Sequence, residues 1–387
     1  MIRAKTASIV NTDSYEAGRE AVEELLDQLE RPELVIAFVS ATLDPARALA
    51  GINDGLPAGV EVVGCTSYAE INSEECLSGS VTVMGLRLEG LSFKPFCYRA
   101  ERAEPHAAGA AFAREVKDFG GDLLIVFPDG LELNSTRLLL GMQSVLGQQF
   151  PIVGGIAGDD ARFEKTYQFA GREALSGAVV GVALKGPVEL VSAARSGWHP
   201  IGKTRTATRV EDGNVLLELD GEPALEIYRQ FLDHRWDEMP GVGVEFPIGV
   251  VGGVPGTQKM PDEQILLLRA IKGIDDRRQA IIFGGDIPQG AELRMARATR
   301  DDVIAGADAA GAEVCARMPA PSLALVFDCM ARKVALGARY REEVKRTFAA
   351  LGPDVPKIGF HTFGELSPVQ GVTMHHDETF TIALIKG

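Results

Sequence analysis

A chain of 387 residues, 46% hydrophobic and 24% charged, has the balance of a globular protein, and at this length two domains or an internal duplication are expected. Its 54 acidic against 39 basic residues leave a net charge of -15, which excludes a general nucleic-acid partner and disfavours an anionic membrane surface, since both need a basic face. The five cysteines, at 65, 76, 97, 315 and 329, have no CxxC spacing, so neither a disulfide framework nor a structural zinc site is expected and they read as small buried hydrophobes.

In chain order, the N-terminal MIRAKTASIVNTDSYEAG lacks the apolar run of a secretory signal and no stretch approaches bilayer length, which points to a cytoplasmic protein without a membrane partner. From Leu34, LVIAFVSATLDPARALAGINDGLPAGVEVVGCTS reads as an apolar strand, a helix and a second apolar strand. It ends in the loop GCTSYAEI, and LSGSVTVMGL then reads as a further strand. The same plan returns from Leu123, where LLIVFPDGLELNSTRLLLGMQSVLGQQFPIVGGIAGDD leads to LSGAVVGVAL. A third copy starts at Leu323, passes through GFHTFGELSP and finishes in TFTIALI. Runs too apolar to alternate imply strands buried on both faces, paired in parallel through helical crossovers.

Between the second and third copies, VEDGNVLLELDG carries a DG hairpin signal and EPALEIYRQFLDHRW has helical spacing with Pro223 in its first turn. FPIGVV, ILLLRAI, AIIFGGD and LRMARA come next as strands, then DDVIAGADAAGAEVCARM as a helix capped by Thr299 or Asp301. The expected fold class is α/β: repeated βαβ-plus-strand units forming mixed sheets flanked by helices. Two domains are expected, 1–221 and 222–387, with the boundary at Gly221.

One literal motif match is set aside. GWHPIGKT, Gly197 to Thr204, satisfies the GxxxxGK[ST] phosphate-loop pattern, but residues 205–214 read as strand and hairpin rather than helix, and Pro200 supplies no N–H. The loops carry more. GCTSYAEI laid under GFHTFGEL pairs Gly64 with Gly359, Ser67 with Thr362, Tyr68 with Phe363 and Glu70 with Glu365, while Thr66 stands opposite His361. In the second copy Gly155 and Asp159 fall at about the same place. Loops after the C-terminal ends of parallel strands are where open α/β sheets bind ligands. The candidate ligand-binding residues are therefore Gly64, Thr66, Ser67, Glu70, Gly155, Asp159, Gly359, His361, Thr362 and Glu365. Carboxylates there can accept from a ligand ammonium or, on the plainer alternative, cap loop N–H groups and hold the turn. His106 and His234 read as solvated, and the adjacent His375 and His376 as a surface turn whose rings point opposite ways.

VIAFVSATLD, VVGCTSYAEI, LLIVFPDGL, VGGIAGDD, SGWHPIGKT and LLELDGEPALEIY, with LLLRAIKGIDDRRQAIIFGGDIPQGAELRM, LALVFDCMAR and GFHTFGELSP, together resemble the FIST family. The resemblance runs from about residue 30 to the end. It implies a sensory module with an N-terminal and a C-terminal FIST domain that binds a small ligand, amino acids being proposed for the family. Signalling would pass to a separate partner such as a histidine kinase or diguanylate cyclase, and the chain would not be an enzyme. A stand-alone subset of similar size implies a second ligand, haem sensing nitric oxide and governing cyclic-di-GMP output, with His361 or His199 as axial ligand. A third reading is an enzyme on a small polar substrate with Glu70 or Glu365 as general base.

Overall fold

The computed structural model describes residues 1–100, 104–239, 241–252 and 266–387, the side chain of Leu266 excepted. Three apolar runs, Leu34–Ser40, Leu123–Pro128 and Leu323–Cys329, form strands that are buried along their whole length. Each pairs in parallel with the strand that comes after its crossover: Glu61–Ser67, Ile152–Gly155 and Lys357–Thr362. On its other side each pairs antiparallel with the strand that closes its unit, Ser80–Leu88, Ala178–Lys185 and Phe380–Lys386. Beyond these lie Ile2–Val10, Ser92–Arg99 and Glu189–Arg195, again antiparallel. The protein is thus three copies of one four-stranded layer.

The fifth and sixth strands of each sheet come from another copy. Glu70–Ile71 and Cys76–Leu77 of the first copy join the third sheet at Lys357–Thr362. Gln168–Ala170 and Glu173–Leu175 of the second join the first sheet at Glu61–Ser67. Glu365–Val369 and Val372–His376 of the third join the second sheet at Ile152–Gly155. The exchange is cyclic, which gives the arrangement approximate threefold symmetry. The inner faces of all three sheets meet in one core. At its centre Phe38, Phe127 and Phe327, equivalent in register, pack with Phe360, with ring centroids 4.4–6.5 Å apart. Pairs of helices cover the outer faces of the sheets, with separate apolar clusters between.

The third copy differs by an insertion between its first strand and the helix Arg300–Arg317. Residues 199–297 build an eight-stranded antiparallel sheet around the helix Ala224–Leu232, with a core of their own. GWHPIGKT enters this sheet as the strand His199–Glu211. Of the expected strands here, ILLLRAI begins at Ile265, outside the described residues; its remainder forms Leu266–Arg269 and the start of Ile271–Asp275. Gly221 lies inside this sheet, and hydrogen-bonded strands join residues on both sides of it, as Glu189–Arg195 with Phe380–Lys386 shows. Cys65, Cys76 and Cys329 are buried, but Cys97 is exposed and Cys315 partly so. Among the described residues no helix is long and apolar enough to cross a membrane.

Candidate functional site

The three loops converge at one end of the shared core, locked by their backbones. Tyr68 N donates to His361 O (3.1 Å), Gly158 N to Thr66 O (3.0 Å) and Phe363 N to Ile156 O (3.0 Å), a ring that obeys the threefold relation. Gly64, Gly154 and Gly359 share one register position, opposite Ala37, Val126 and Val326. A methyl at any of them would overlap that partner's carbonyl oxygen, so these glycines serve strand packing. Gly155 makes room for the aromatic core, since a methyl there would lie 2.7 Å from Phe360 and Thr362.

Register also shows which acids are equivalent. Glu70 sits opposite Phe360, Gln168 opposite Cys65 and Glu365 opposite Gly155. The third member of the set is therefore Gln168, and the expected equivalence of Asp159 is corrected. The Asp159 carboxylate instead accepts from the N–H groups of Phe163 (3.0 Å), Glu164 (2.6 Å) and Lys165 (3.1 Å), holding its own turn. Glu70 accepts from Ser67 Oγ and from Ser80 N (3.0 Å) and Oγ (2.7 Å), and Gln168 Oε1 accepts from Ala178 N (3.2 Å). Ser67 is thereby occupied, while Thr66 Oγ1 accepts from Tyr167 N (3.0 Å). The Glu70 loop is thus a clamp between a loop hydroxyl and the returning strand. Burial, partly offset by these bonds, pushes the Glu70 carboxyl up to about 7.

Glu365 is clamped on one oxygen only, by Thr362 Oγ1; its Oε2 is buried without a hydrogen-bond partner among the described residues. It borders a cluster that the first two copies lack. Asp328, Arg332, Glu343, His361, Glu365, Asp377, Glu378, Arg269 and His375 are all buried where the insertion covers the third copy. Arg332 Nε lies 3.1 Å from Asp328, and the same guanidinium bonds Glu343, Ser196 O, Val303 O (2.8 Å) and Glu378 O (3.3 Å). His361 Nδ1 is 3.2 Å from Asp328 Oδ2, and burial followed by the nearby Lys333 charge lowers its imidazole to about 3, so the ring is neutral. From the insertion, Arg269 donates to Asp286 O (2.8 Å) and His375 O (3.1 Å) and faces Asp377 at 3.8 Å.

Glu378 is the outlier. It is fully buried, its backbone is left-handed at φ 53°, and neither carboxylate oxygen has a hydrogen-bond partner among the described residues. A non-glycine residue held there, with an orphaned buried carboxyl, is the combination that marks functional sites. Burial and the neighbouring Asp377 hold its carboxyl well above the usual range; Glu365 is raised by the same causes. The cluster places five buried carboxyls against two buried guanidiniums. Such an excess is met either by protonation or by a cation brought in by a ligand.

Beside the cluster runs a cleft of about 1050 Å³, lined by Trp198, His199, Asp302, Arg317 and the Pro368–Gly371 turn, with His376 and Thr379 on its wall. His375 and His376 are buried, which corrects their reading as a surface turn. His375 Nδ1 pairs with Thr136 Oγ1 (2.8 Å), and His376 Nε2 contacts Ser367 O at 3.1 Å, as donor. His199 is 68% exposed by side chain, 3.8 Å from Asp302. Haem needs an imidazole facing an apolar slot. His361 is enclosed by Asp328, Arg332, Lys333 and Tyr340, and His199 opens on a polar rim, so neither fits the group. His106 and His234 are exposed.

Sequence reasoning found His361, Thr362 and Glu365 but missed Asp328, Arg332, Asp377, Glu378 and Arg269 as a set. A signal was present: LALVFDCMAR ends a buried strand on Asp328 with Arg332 four residues on, and HHDET puts two acids directly before an apolar strand.

Comparison with known proteins places this geometry. The FIST N domain model matches residues 33–222 and the FIST C domain model residues 224–368. An uncharacterized protein of Mycobacterium tuberculosis H37Rv is 27% identical over 392 residues, covering 99% of this chain and 98% of its own. An uncharacterized protein of Methanocaldococcus jannaschii is 25% identical over 231 residues, 56% of this chain and 44% of its own. Among solved structures, cyanuric acid hydrolase matches with TM-score 0.39 at 9% identity, covering 100% of this chain and 99% of that one. The A. caulinodans enzyme gives 0.34 at 8%, covering 100% and 99%. Because these full-length matches are to an enzyme, the expectation that the chain is not one is withdrawn; at such TM-scores the likeness assigns no activity to it. The two matched domain models cover most of the chain, which therefore belongs to the FIST family, whose domains are sensory, signal-transduction modules that bind small ligands.

Proposed function

We propose that this protein senses a small ligand carrying an ammonium group, of the amino-acid class, held by Glu378 and Glu365 where the insertion meets the third copy. The single observation that carries the reading is the fully buried Glu378 carboxyl, with both oxygens unpartnered among the described residues and a left-handed backbone. An ammonium supplies the donors that Glu378 and Glu365 Oε2 lack and neutralises part of the acidic excess. Thr379, the residue next to Glu378, lines the adjoining cleft, the side from which a ligand would enter. Occupancy would be passed to a separate signalling partner in the cytoplasm, a kinase or a diguanylate cyclase. Haem forms no part of the proposal.

The test is a thermal-shift screen of amino acids and simple amines against the full chain. A ligand should raise the unfolding free energy by RT ln(1 + [L]/Kd), about 2.7 kcal/mol at a hundredfold excess over Kd, and raise Tm with it. Glu378→Gln and Glu365→Gln should each abolish the shift while keeping the fold by circular dichroism, and Glu70→Gln should keep it. A shift that survives Glu378→Gln sinks the assignment. One observation favours a second reading: carboxyls held above their usual range, side by side, are suited to general acid–base work on a small polar substrate, with Glu365 as base. Mass spectrometry of the bound ligand after incubation separates the two, since turnover would change its mass.

A further inference from the structure

A second concave surface lies on the insertion, apart from the buried carboxyls. Ile201, Ile248, Leu293 and Met295 of the inserted sheet form its floor, and Ile227 and Phe231 of the helix Ala224–Leu232 form one wall of a groove of about 240 Å³. Phe231 is 37% exposed, high for so large an apolar side chain at the lip of a groove. Lys203, Arg205 and Arg294 stand along the groove. Among the described residues the one carboxylate paired with them is Asp220, 3.1 Å from Arg205 and 3.8 Å from Lys203. Arg294 donates to Gly202 O (3.1 Å), and its Nε is buried with no partner among the described residues.

A cationic border round an apolar floor is unusual on a chain of net charge -15. We propose that this groove docks an acidic amphipathic helix of a partner protein, with apolar anchors against Phe231 and Ile248 and carboxylates facing Lys203, Arg205 and Arg294. The floor strand Ile248–Val251 pairs directly with Leu266–Arg269, whose Arg269 holds the His375 carbonyl and faces Asp377. Docking surface and buried cluster therefore share adjacent strands, a short mechanical path between an occupied site and its output. The groove stands on its own residues, whichever ligand the cluster takes.

The test uses the full chain and a fluorescein-labelled synthetic helical peptide with leucine at i, i+4 and i+7 and glutamate on the remaining faces, read by anisotropy. Saturable binding is expected, weakening at high salt and falling at least about tenfold in the double variant Lys203→Glu/Arg294→Glu. The milder Arg294→Gln and Phe231→Ser, checked for unchanged Tm, should each weaken it as well. The proposal is overturned if the peptide fails to saturate, if a peptide with lysine in place of glutamate binds as well, or if the variants bind unchanged. Octanoate displacing the peptide with tighter binding would reassign the groove to an acyl ligand. Dimerisation that Arg294→Gln abolishes would reassign it to a second copy of this chain.

Discussion

Glu70, Gln168 and Glu365 occupy one structural position three times, and their differences say what each is for. Gln168 performs the clamp with no charge at all, accepting from Ala178 N through its amide oxygen. Charge is therefore dispensable for holding the turn, and Glu70, with both oxygens engaged, does little more than hold it. Its folded carboxyl is raised to about 7 from an ordinary 4.5. A raised carboxyl favours the folded state below about pH 4.5 and loses that contribution as pH rises through about 7. Glu70→Gln is thus expected to match the parent protein at about pH 4 and to exceed it at about pH 8, by up to about 3 kcal/mol, as read by urea midpoints at the two pH values. Equal pH dependence in both proteins would show that Glu70 is ionised without penalty. Glu365 differs by one free oxygen, and Glu378 by two, which is why the functional assignment rests on them.

The elements carry the symmetry through sterics as much as through hydrophobic pattern. Each crossover strand reaches its neighbour at a glycine, Gly64, Gly154 or Gly359, where only a hydrogen fits over the opposing carbonyl. Gly359→Ala must separate two buried strands that both line the shared core, and is expected to prevent folding or to cost more than about 3 kcal/mol, beyond ordinary overpacking. Gly155→Ala presses on side chains that can shift, Phe360 and Thr362, so a loss of about 1–3 kcal/mol is expected. Denaturant unfolding of the two variants side by side checks both the order and the size. A Gly359→Ala protein as stable as the parent would refute the steric account.

On the scale of the whole molecule, the cyclic exchange of hairpins makes the three copies one cooperative body. Without residues 70–77 the third sheet loses its edge, and without 365–376 the second loses its own. Fragments 1–221 and 222–387, expressed singly, are each expected to fail to give dispersed NMR spectra, and to recover them when co-expressed, because strands such as Glu189–Arg195 and Phe380–Lys386 lie on opposite sides of the cut. The repeated βαβ units were legible in the sequence, since strands buried on both faces must read as unbroken apolar runs and a parallel neighbour must come after a helix. Glu70 and Glu365 were legible as a pair for the same local reason. Gln168 was not, because the long turn held by Asp159 intervenes between it and its strand. Which sheet each hairpin joins, and that Asp328, Arg332, Asp377 and Glu378 gather under an inserted sheet, was decided by tertiary structure alone. Strand pairing between copies and the burial of charge depend on contacts between residues far apart in the chain, and local pattern records which residues are apolar, not which partners they meet.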